Sequence, residues 1–295
     1  MELPIGVSDY YDFLPGTSHA AGDVWVDLPS FGIVPPPFLP GLVITPACDL
    51  ANRKVESVTF LPIIPLRRYL TSNSMIAELK LSTAGQLSAA GAGQLIEFPD
   101  KLERVSLLDI EAAQSLLSSH GRGQLSVKQR EALGRAHSGL QSLADICSGV
   151  STEATFEAVK KTIGGKGFPD IIRRIVTNSY RLDLHFLPRD GQRREWSGIH
   201  ENSVVLFRYP ISLPFELLEL AQERGVEQWE RTVESVKNVY PCAPSMHVRP
   251  MKRLSLRPRF SSDLLTRFTN MFGRLGSPDF TADAVERIVS EVLPT

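Results

Sequence analysis

The chain has few cysteines, no long apolar run and almost no net charge. Its 295 residues include three cysteines, at 48, 147 and 242, and none belongs to a C-x-x-C pair. Such an odd, widely spaced set argues against a disulfide framework and is typical of reduced intracellular thiols. No stretch approaches the roughly 18 consecutive apolar residues of a membrane-spanning helix. We therefore expect no membrane insertion.

The charge balance excludes a globally basic or acidic protein. Lys and Arg number 32 and Asp and Glu 33, for a formal net charge of −1. Any attraction to nucleic acid must therefore come from a local patch. The first residues, MELPIGVSDYYDF, lack the basic start and apolar core of a secretory signal. We expect a cytoplasmic protein without a cofactor.

Short strand-forming segments dominate the first third of the chain. The letters DVWVDL alternate, which predicts a strand with Val24, Val26 and Leu28 on one face. Residues 29–40 contain five prolines and predict an exposed loop, because proline cannot donate to a strand ladder. Apolar or β-branched runs predict three further strands, at 42–44, 55–64 and 103–110.

The pattern becomes helical after about residue 110. The segment at 126–147 places apolar residues at helical spacing. Ser151 or Thr152 is suited to cap a second helix, which ends at the glycines of GGKG, 164–167. Residues 180–209 predict a hairpin or meander. Further expected elements are helices at 170–178, 215–238, 261–275 and 281–293 and an extended segment at 247–256.

Together these elements predict an α+β protein. Closely spaced short strands favour a small barrel or curled sheet over βαβ units. We expect a lead-in at 1–19, an SH3-like small β-barrel at 20–115, and a helical and mixed region at 120–295.

The opening strands resemble those of the MazF/PemK endoribonuclease toxins. That family begins with a Gly-Asp-hydrophobic-Trp strand, a loop, an apolar strand and a strand ending Pro-Ile-Thr. The corresponding letters here are GDVWVD at 22–27, LVITP at 42–46 and TFLPI at 59–63. The resemblance covers about 45 residues and implies an SH3-like barrel.

The catalytic residues of that family do not carry over. Its first loop holds a Glu and basic residues, which serve proton transfer and phosphorane stabilisation. The loop at 29–40 holds no charged residue, and Ile64 stands where the family has Thr. Arg67 and Arg68 lie just downstream and are candidate phosphate ligands. The departures argue against RNA cleavage.

A second resemblance involves Cys48 and Asp49. A Cys-Asp-Leu box after an early strand is similar to one in uncharacterised bacterial proteins that carry a C-terminal Phe-x-x-x-Phe-x-Arg-x-Gly-x-Pro helix, matched here at 268–278. Those proteins resemble cargo of mobile and antiviral defence gene clusters. The resemblance implies a place among defence or mobile gene clusters and implies no chemical mechanism.

Cys48 and Asp49 allow two interpretations. A catalytic thiolate needs a nearby His or helix N-terminus, whereas Cys at a strand end is usually a small buried hydrophobe. Asp49 is suited to cap a following helical turn. We favour a structural turn and keep Cys48 as a candidate nucleophile. Cys242 and His247 have a ligand-like spacing but lack further ligands, so we expect no metal site.

The strongest electrostatic signal lies near the C-terminus. Residues 249–274 carry seven basic side chains and one acid, Asp263. Such a patch is typical of nucleic-acid binding, but arginines spaced along an extended segment more often pair with acids of this chain or of a partner, which is the interpretation we favour. The candidate ligands are Arg249, Lys252, Arg253, Arg257 and Arg259. A second basic cluster comprises Arg173, Arg174, Arg181, Arg189, Arg193 and Arg194.

These features favour a non-enzymatic binding or adaptor component of a bacterial defence or toxin-like system. We expect a protein partner in a multi-subunit assembly, or nucleic acid held by the basic stretch. One alternative is a MazF/PemK-like endoribonuclease with relocated catalytic residues. Another is a Cys48-dependent hydrolase.

Overall fold

The computed structural model describes residues 10–13, 16–94, 107–120, 125–191 and 195–273. The described strands are β1 (Tyr11–Asp12), β2 (Asp23–Pro29), β3 (Phe38–Val43), β4 (Ser57–Pro65), β5 (Leu184–Leu187), β6 (Ser203–Leu206), β7 (Ile211–Pro214) and β8 (Met251–Leu256). The described helices are α1 (Ala47–Ala51), α2 (Leu66–Leu70), α3 (Ile76–Ala89), α4 (Leu107–His120), α5 (Val127–Cys147), α6 (Glu153–Ile163), α7 (Gly167–Val176), α8 (Phe215–Glu223), α9 (Val226–Val236) and α10 (Pro258–Phe272).

The protein has a mixed α+β fold, as predicted, built on one open antiparallel sheet. Its strand order is β1-β8-β2-β3-β4-β6-β5, and β7 pairs with the first part of β4. β2, β3 and β4 form a meander in which Leu42 pairs with Val24 on one side and with Leu61 on the other. The three strands predicted in the first 66 residues are therefore present and adjacent, but β3 begins at Phe38, inside the segment expected to be an exposed loop.

The sheet combines strands from both sides of the boundary expected at 115–120. β2 pairs with β8 over its first four residues, and Asp23 lies opposite Ser255. β4 pairs with both β6 and β7. The first and last thirds of the described chain thus share one sheet, because strands from the last third hydrogen-bond to the free edges of β2 and β4.

Two sequence predictions about strands are wrong. The segment at 107–110 begins helix α4 instead of extending a strand, while 103–106 lies outside the described residues. In β2, Asp27 adopts a φ of 61° and the register shifts between Trp25 and Leu28. This bulge moves Leu28 to the face opposite Val24, because one extra residue reverses the alternation.

The two faces of the sheet are covered differently. On one face, Val24, Leu42 and Val205 pack with α10 and with Tyr11 of β1. On the other face, Trp25, Leu28 and Phe60 pack against a larger core that includes buried residues of α3 and α5. The sheet is therefore buried on both sides.

The central helices form a packed layer of α3, α5 and α6. Ser126 caps α5 and Thr152 caps α6, each through a reciprocal capping box. A Cβ placed on Gly139 of α5 would lie 2.1 Å from Thr83 Oγ1, so α3 and α5 approach closely at this glycine. Gly164 ends α6 with a φ of 89°, as expected for a helix-terminating glycine.

The later part of the chain follows the predicted order of elements with shifted bounds. β5 and β6 form the expected hairpin. The single helix expected at 215–238 is two helices, α8 and α9, which are separated at Gly225. The helix expected at 281–293 lies outside the described residues. Within the described ranges, the helices lack the combination of length and apolarity needed to cross a bilayer.

Candidate nucleic-acid interface

Cys48 and Asp49 lie on the short helix α1, directly after the β3 strand. Cys48 is exposed, which contradicts the expectation of a small buried hydrophobe. Asp49 lies in the first turn of α1 and Pro46 occupies the N-cap, so Asp49 is not the cap. The Cys48 thiol lies 3.6 Å from the Asp49 carboxylate.

Arg67 and Arg68 lie on α2, at the end of β4. Arg67 pairs with Glu153 of α6 at 2.5 Å, and its guanidinium lies 4.5 Å from the centre of the Phe156 ring. These contacts tie α2 to α6. Arg68 is half-buried on the same helix. The structure thus gives Arg67 partners within the chain.

The basic C-terminal stretch divides into two groups, of which the first is committed to the fold. Lys252 is buried, lies 3.4 Å from the Asp23 carboxylate and donates to the carbonyl of Ser18. Arg249 donates to the carbonyls of Ala221 and Arg224 at 2.7 and 3.0 Å. Both side chains hold strand β8 to its neighbours.

The second group comprises Arg257 and Arg259, at the start of α10, and Arg253, which lies earlier on β8 beside Arg249 and Lys252. We call Arg257 and Arg259 the α10 site. Arg257 is the N-cap of α10 and Arg259 lies in its first turn, and both are exposed. The first turn of α10 contains no acidic residue. Arg259 also lies over the Phe260 ring, at 4.5 Å from its centre.

Arg253 precedes this turn on β8 and is half-buried. Burial raises the pKa of Asp27, and the nearby Arg253 cation offsets part of that rise. Arg253 therefore has an acidic neighbour, Asp27.

The second predicted basic cluster is also divided. Arg173 pairs with Asp170, and Arg174 lies over the Tyr180 ring at 5.3 Å. Arg181 forms two hydrogen bonds with Asp183, at 3.0 and 2.8 Å. Arg193 and Arg194 lie outside the described residues.

Arg208 is a functional candidate that the sequence did not reveal. Its Nε donates to Asp183 Oδ2 at 2.5 Å, the same oxygen that accepts from Arg181 Nη2. Burial pushes the Asp183 pKa upward, but the hydrogen bonds from Arg181 and Arg208 outweigh it, so this pKa lies below its ordinary value. Because Arg208 follows strand β6, 25 residues after Asp183, only the hairpin brings the two together.

The remaining predicted site residues are not brought together. His247 packs edge-on against Phe38, with ring centres 4.5 Å apart, and Cys242 is half-buried. In the part of the chain that the structure describes, no three His, Cys, Asp or Glu side chains converge as a metal site would require. In the β2–β3 loop, Phe31 and Ile33 are 41 % and 52 % exposed.

Comparison of the chain with protein-family models, with curated proteins and with solved structures gives no match in any of the three.

Proposed function

We propose that this protein is a non-enzymatic binding component of a bacterial defence or toxin-like assembly, and that it contacts nucleic acid through the α10 site. The observation that carries the proposal is the cationic start of α10. Exposed arginines occupy the N-cap and the first turn, and the first turn itself contains no acidic residue.

This arrangement favours an anionic partner for a physical reason. The N-terminus of a helix carries a partial positive charge, so nearby cations are unfavourable there and anions are favourable. Arg257 and Arg259 add two full charges to the same end of a 15-residue helix. A phosphate placed there would interact with both guanidinium groups and with the helix end.

The structure also supports a narrower site than the sequence suggested. Lys252 is buried and paired, and Arg249 is occupied by backbone carbonyls. We therefore assign phosphate contact to Arg257 and Arg259. Arg249 and Lys252 support the strand that leads to these residues.

Fluorescence anisotropy with labelled single-stranded RNA, single-stranded DNA and duplex DNA tests this proposal. At about 50 mM salt, the double variant Arg257→Ala/Arg259→Ala should bind at least ~10-fold more weakly than the parent. The slope of log K against log salt should also fall by about 2. The matched control, Lys128→Ala/Arg231→Ala, removes the same charge from exposed positions on α5 and α9. Equal binding by both double variants, or no binding by the parent protein, would refute the proposal.

A protein partner is the other contact that we propose for an adaptor. The exposed Phe31 and Ile33 support it, because they form an apolar tip on a loop without charged residues. The double variant Phe31→Ser/Ile33→Ser should lose a partner that co-purifies with the parent protein. Retention of every such partner would rule out this loop as the contact.

The second candidate function is a MazF/PemK-like endoribonuclease, supported by the β2–β3–β4 meander. We propose that these strands, with β7 and β8, form an SH3-like barrel that is incompletely closed. Purified protein incubated with mixed RNA should then produce cleavage that Arg68→Ala reduces. Absence of cleavage at micromolar protein would eliminate this candidate.

A further inference from the structure

A cavity of about 370 Å³ lies between α2, the β5–β6 hairpin and the start of α3. Volumes of this size accommodate small ligands. Its walls include the apolar side chains of Leu184 and Leu206, which are buried. Tyr209 lines the same cavity and is 37 % exposed. The cavity thus combines an apolar wall with an accessible aromatic ring.

The polar side of this cavity is cationic and held in place. Arg181 donates from Nε and Nη2 to Asp183, and from Nη1 to the carbonyl of Ser74 at 3.1 Å. Arg208 donates to the same carboxylate through Nε alone. The Asp183 side chain is 9 % exposed, so the carboxylate lies beneath the two guanidinium groups. Two cations therefore surround one anion, which leaves a net positive charge.

Arg208 is the member of this network that is free to bind a ligand. Its side chain is 64 % exposed. Among the described residues, its two terminal nitrogens have no hydrogen-bond acceptor. Since Asp183 fixes Nε, these nitrogens keep a defined orientation, which lowers the entropy lost on binding an anion.

Tyr69 supplies a second unsatisfied donor. Tyr69 is 1 % exposed, and its buried hydroxyl has no acceptor for its proton among the described residues. Burial is the largest influence on its pKa and raises it well above the usual value, so the hydroxyl stays protonated. The Arg181 guanidinium lies close enough to donate towards the Tyr69 oxygen and opposes that rise, but arginine cannot accept the hydroxyl proton. A buried donor without an acceptor is uncommon, and a ligand oxygen is one means of satisfying it.

We propose that this cavity, which we call the Arg208 cavity, binds a nucleotide phosphate monoester: Arg208 and Tyr69 hold the phosphate, and Tyr209 stacks on the base. Charge favours an anion, and an accessible ring beside it favours a planar group, because bases stack on aromatic side chains. The inference does not depend on binding at the α10 site, and each can fail without the other.

Two sources share this chemistry, a free nucleotide and the 5′-phosphorylated end of a nucleic acid. Isothermal titration calorimetry with the full chain compares AMP, UMP, a 5′-phosphorylated dinucleotide, adenosine and inorganic phosphate. We expect AMP or UMP to bind more tightly than adenosine and than inorganic phosphate. Binding of the dinucleotide alone would assign the cavity to nucleic-acid ends and would still support the proposal.

Variants distinguish this cavity from a general basic surface. Arg208→Gln should weaken binding of the nucleotide probe at least ~10-fold, because a charge-assisted hydrogen bond is lost. Tyr69→Phe keeps the ring and should weaken binding by about 5-fold. Tyr209→Ala should weaken AMP binding and leave inorganic phosphate unchanged. The control, Arg173→Ala, removes an exposed cation that pairs with Asp170.

Some outcomes would overturn the proposal. One is that neither AMP, UMP nor the dinucleotide binds at millimolar concentration. Another is that adenosine and AMP bind with equal affinity. The third is that Arg208→Gln and Arg173→Ala weaken binding equally. Because Asp183 retains Arg181, we expect Arg208→Gln to fold, and circular dichroism checks this. If it does not fold, Tyr69→Phe and Tyr209→Ala decide the question.

Discussion

Lys252 and Asp23 form an ion pair at 3.4 Å between side chains that are only 5 % and 3 % exposed. Asp23 also accepts hydrogen bonds from Ser255 and from the backbone of Ala20, and Lys252 donates to Ser18. Removing either member of a buried, hydrogen-bonded ion pair destabilises the fold, because the other charge stays buried without its partner. The pair therefore joins the start of β2 to β8.

Replacing Lys252 should destabilise the fold much more than it changes nucleic-acid affinity. Lys252→Ala leaves the Asp23 carboxylate buried without its cation, and we expect the free energy of unfolding to fall by about 3 kcal/mol. Urea denaturation followed by circular dichroism measures this change. Arg173→Ala breaks an exposed pair with Asp170 and should change stability by less than about 0.5 kcal/mol. Equal losses in the two variants would contradict the structural role of Lys252.

His185 should make the protein less stable in mild acid. The side chain is 1 % exposed, and burial lowers its pKa to about 4. Nearby Asp263 opposes this shift and Arg267 adds to it. Between pH ~6.5 and ~4 the unfolded chain binds a proton at this histidine and the folded chain does not, so stability falls as pH falls through this window.

The loss at the acid end of this window is of the order of 3 kcal/mol. Denaturation curves at several pH values should show it in the parent protein. In His185→Gln the slope over the same window should flatten, whatever the absolute stability. The exposed His200→Gln should keep the parent profile. A parent-like slope in His185→Gln would show that another group is responsible.

Two glycines on α5 should respond to alanine in opposite directions. At Gly139 a Cβ would lie 2.1 Å from Thr83 Oγ1, and we expect Gly139→Ala to destabilise by about 1–3 kcal/mol through overpacking. At Gly134 nothing lies within 4 Å of the new Cβ. Gly134→Ala should stabilise by up to about 1 kcal/mol, because alanine is the better helix former. Thermal denaturation of both variants checks the signs, and a stabilising Gly139→Ala would contradict the close approach of α3 and α5.

One thiol of the native protein should react faster than the other two. Cys48 is exposed, whereas Cys147 and Cys242 are half-buried, and burial raises the pKa of the Cys242 thiol. Titration with a thiol-reactive disulfide reagent should show one fast phase, which Cys48→Ser removes. The same variant should change stability by less than about 0.5 kcal/mol, because the side chain lies on the surface. Three equal phases in native conditions would contradict the exposure of Cys48.

The sequence predicts local elements well where one physical signal dominates. The alternation at 23–28 and the apolar runs at 42–44 and 55–64 predict strands, since few other structures suit β-branched residues between turns. Helix α6 is predicted for the same reason, with Ser151 or Thr152 as its cap, and Thr152 is the residue that caps it. These signals depend on neighbours along the chain.

The remaining features depend on contacts between distant segments. Lys252 and Arg257 look alike as basic residues, and only the pairing of β8 with β2 buries one and exposes the other. The bulge at Asp27 reverses the face of Leu28, which no alternation pattern can indicate. The Arg208 cavity likewise requires the β5–β6 hairpin, because Arg181 lies just before β5 and Arg208 lies just after β6.

The pairing of β2 with β8 has a consequence during synthesis of the protein. Asp23 and Ser255 are 232 residues apart, so one edge of β2 stays unpaired until the ribosome has made most of the chain. At about 5–20 residues per second this interval lasts roughly 10–50 s. An apolar strand with an unsatisfied edge is prone to intermolecular pairing over such a time. Yield in a cell should therefore depend on chaperone capacity and translation rate more than on the equilibrium stability of the finished fold.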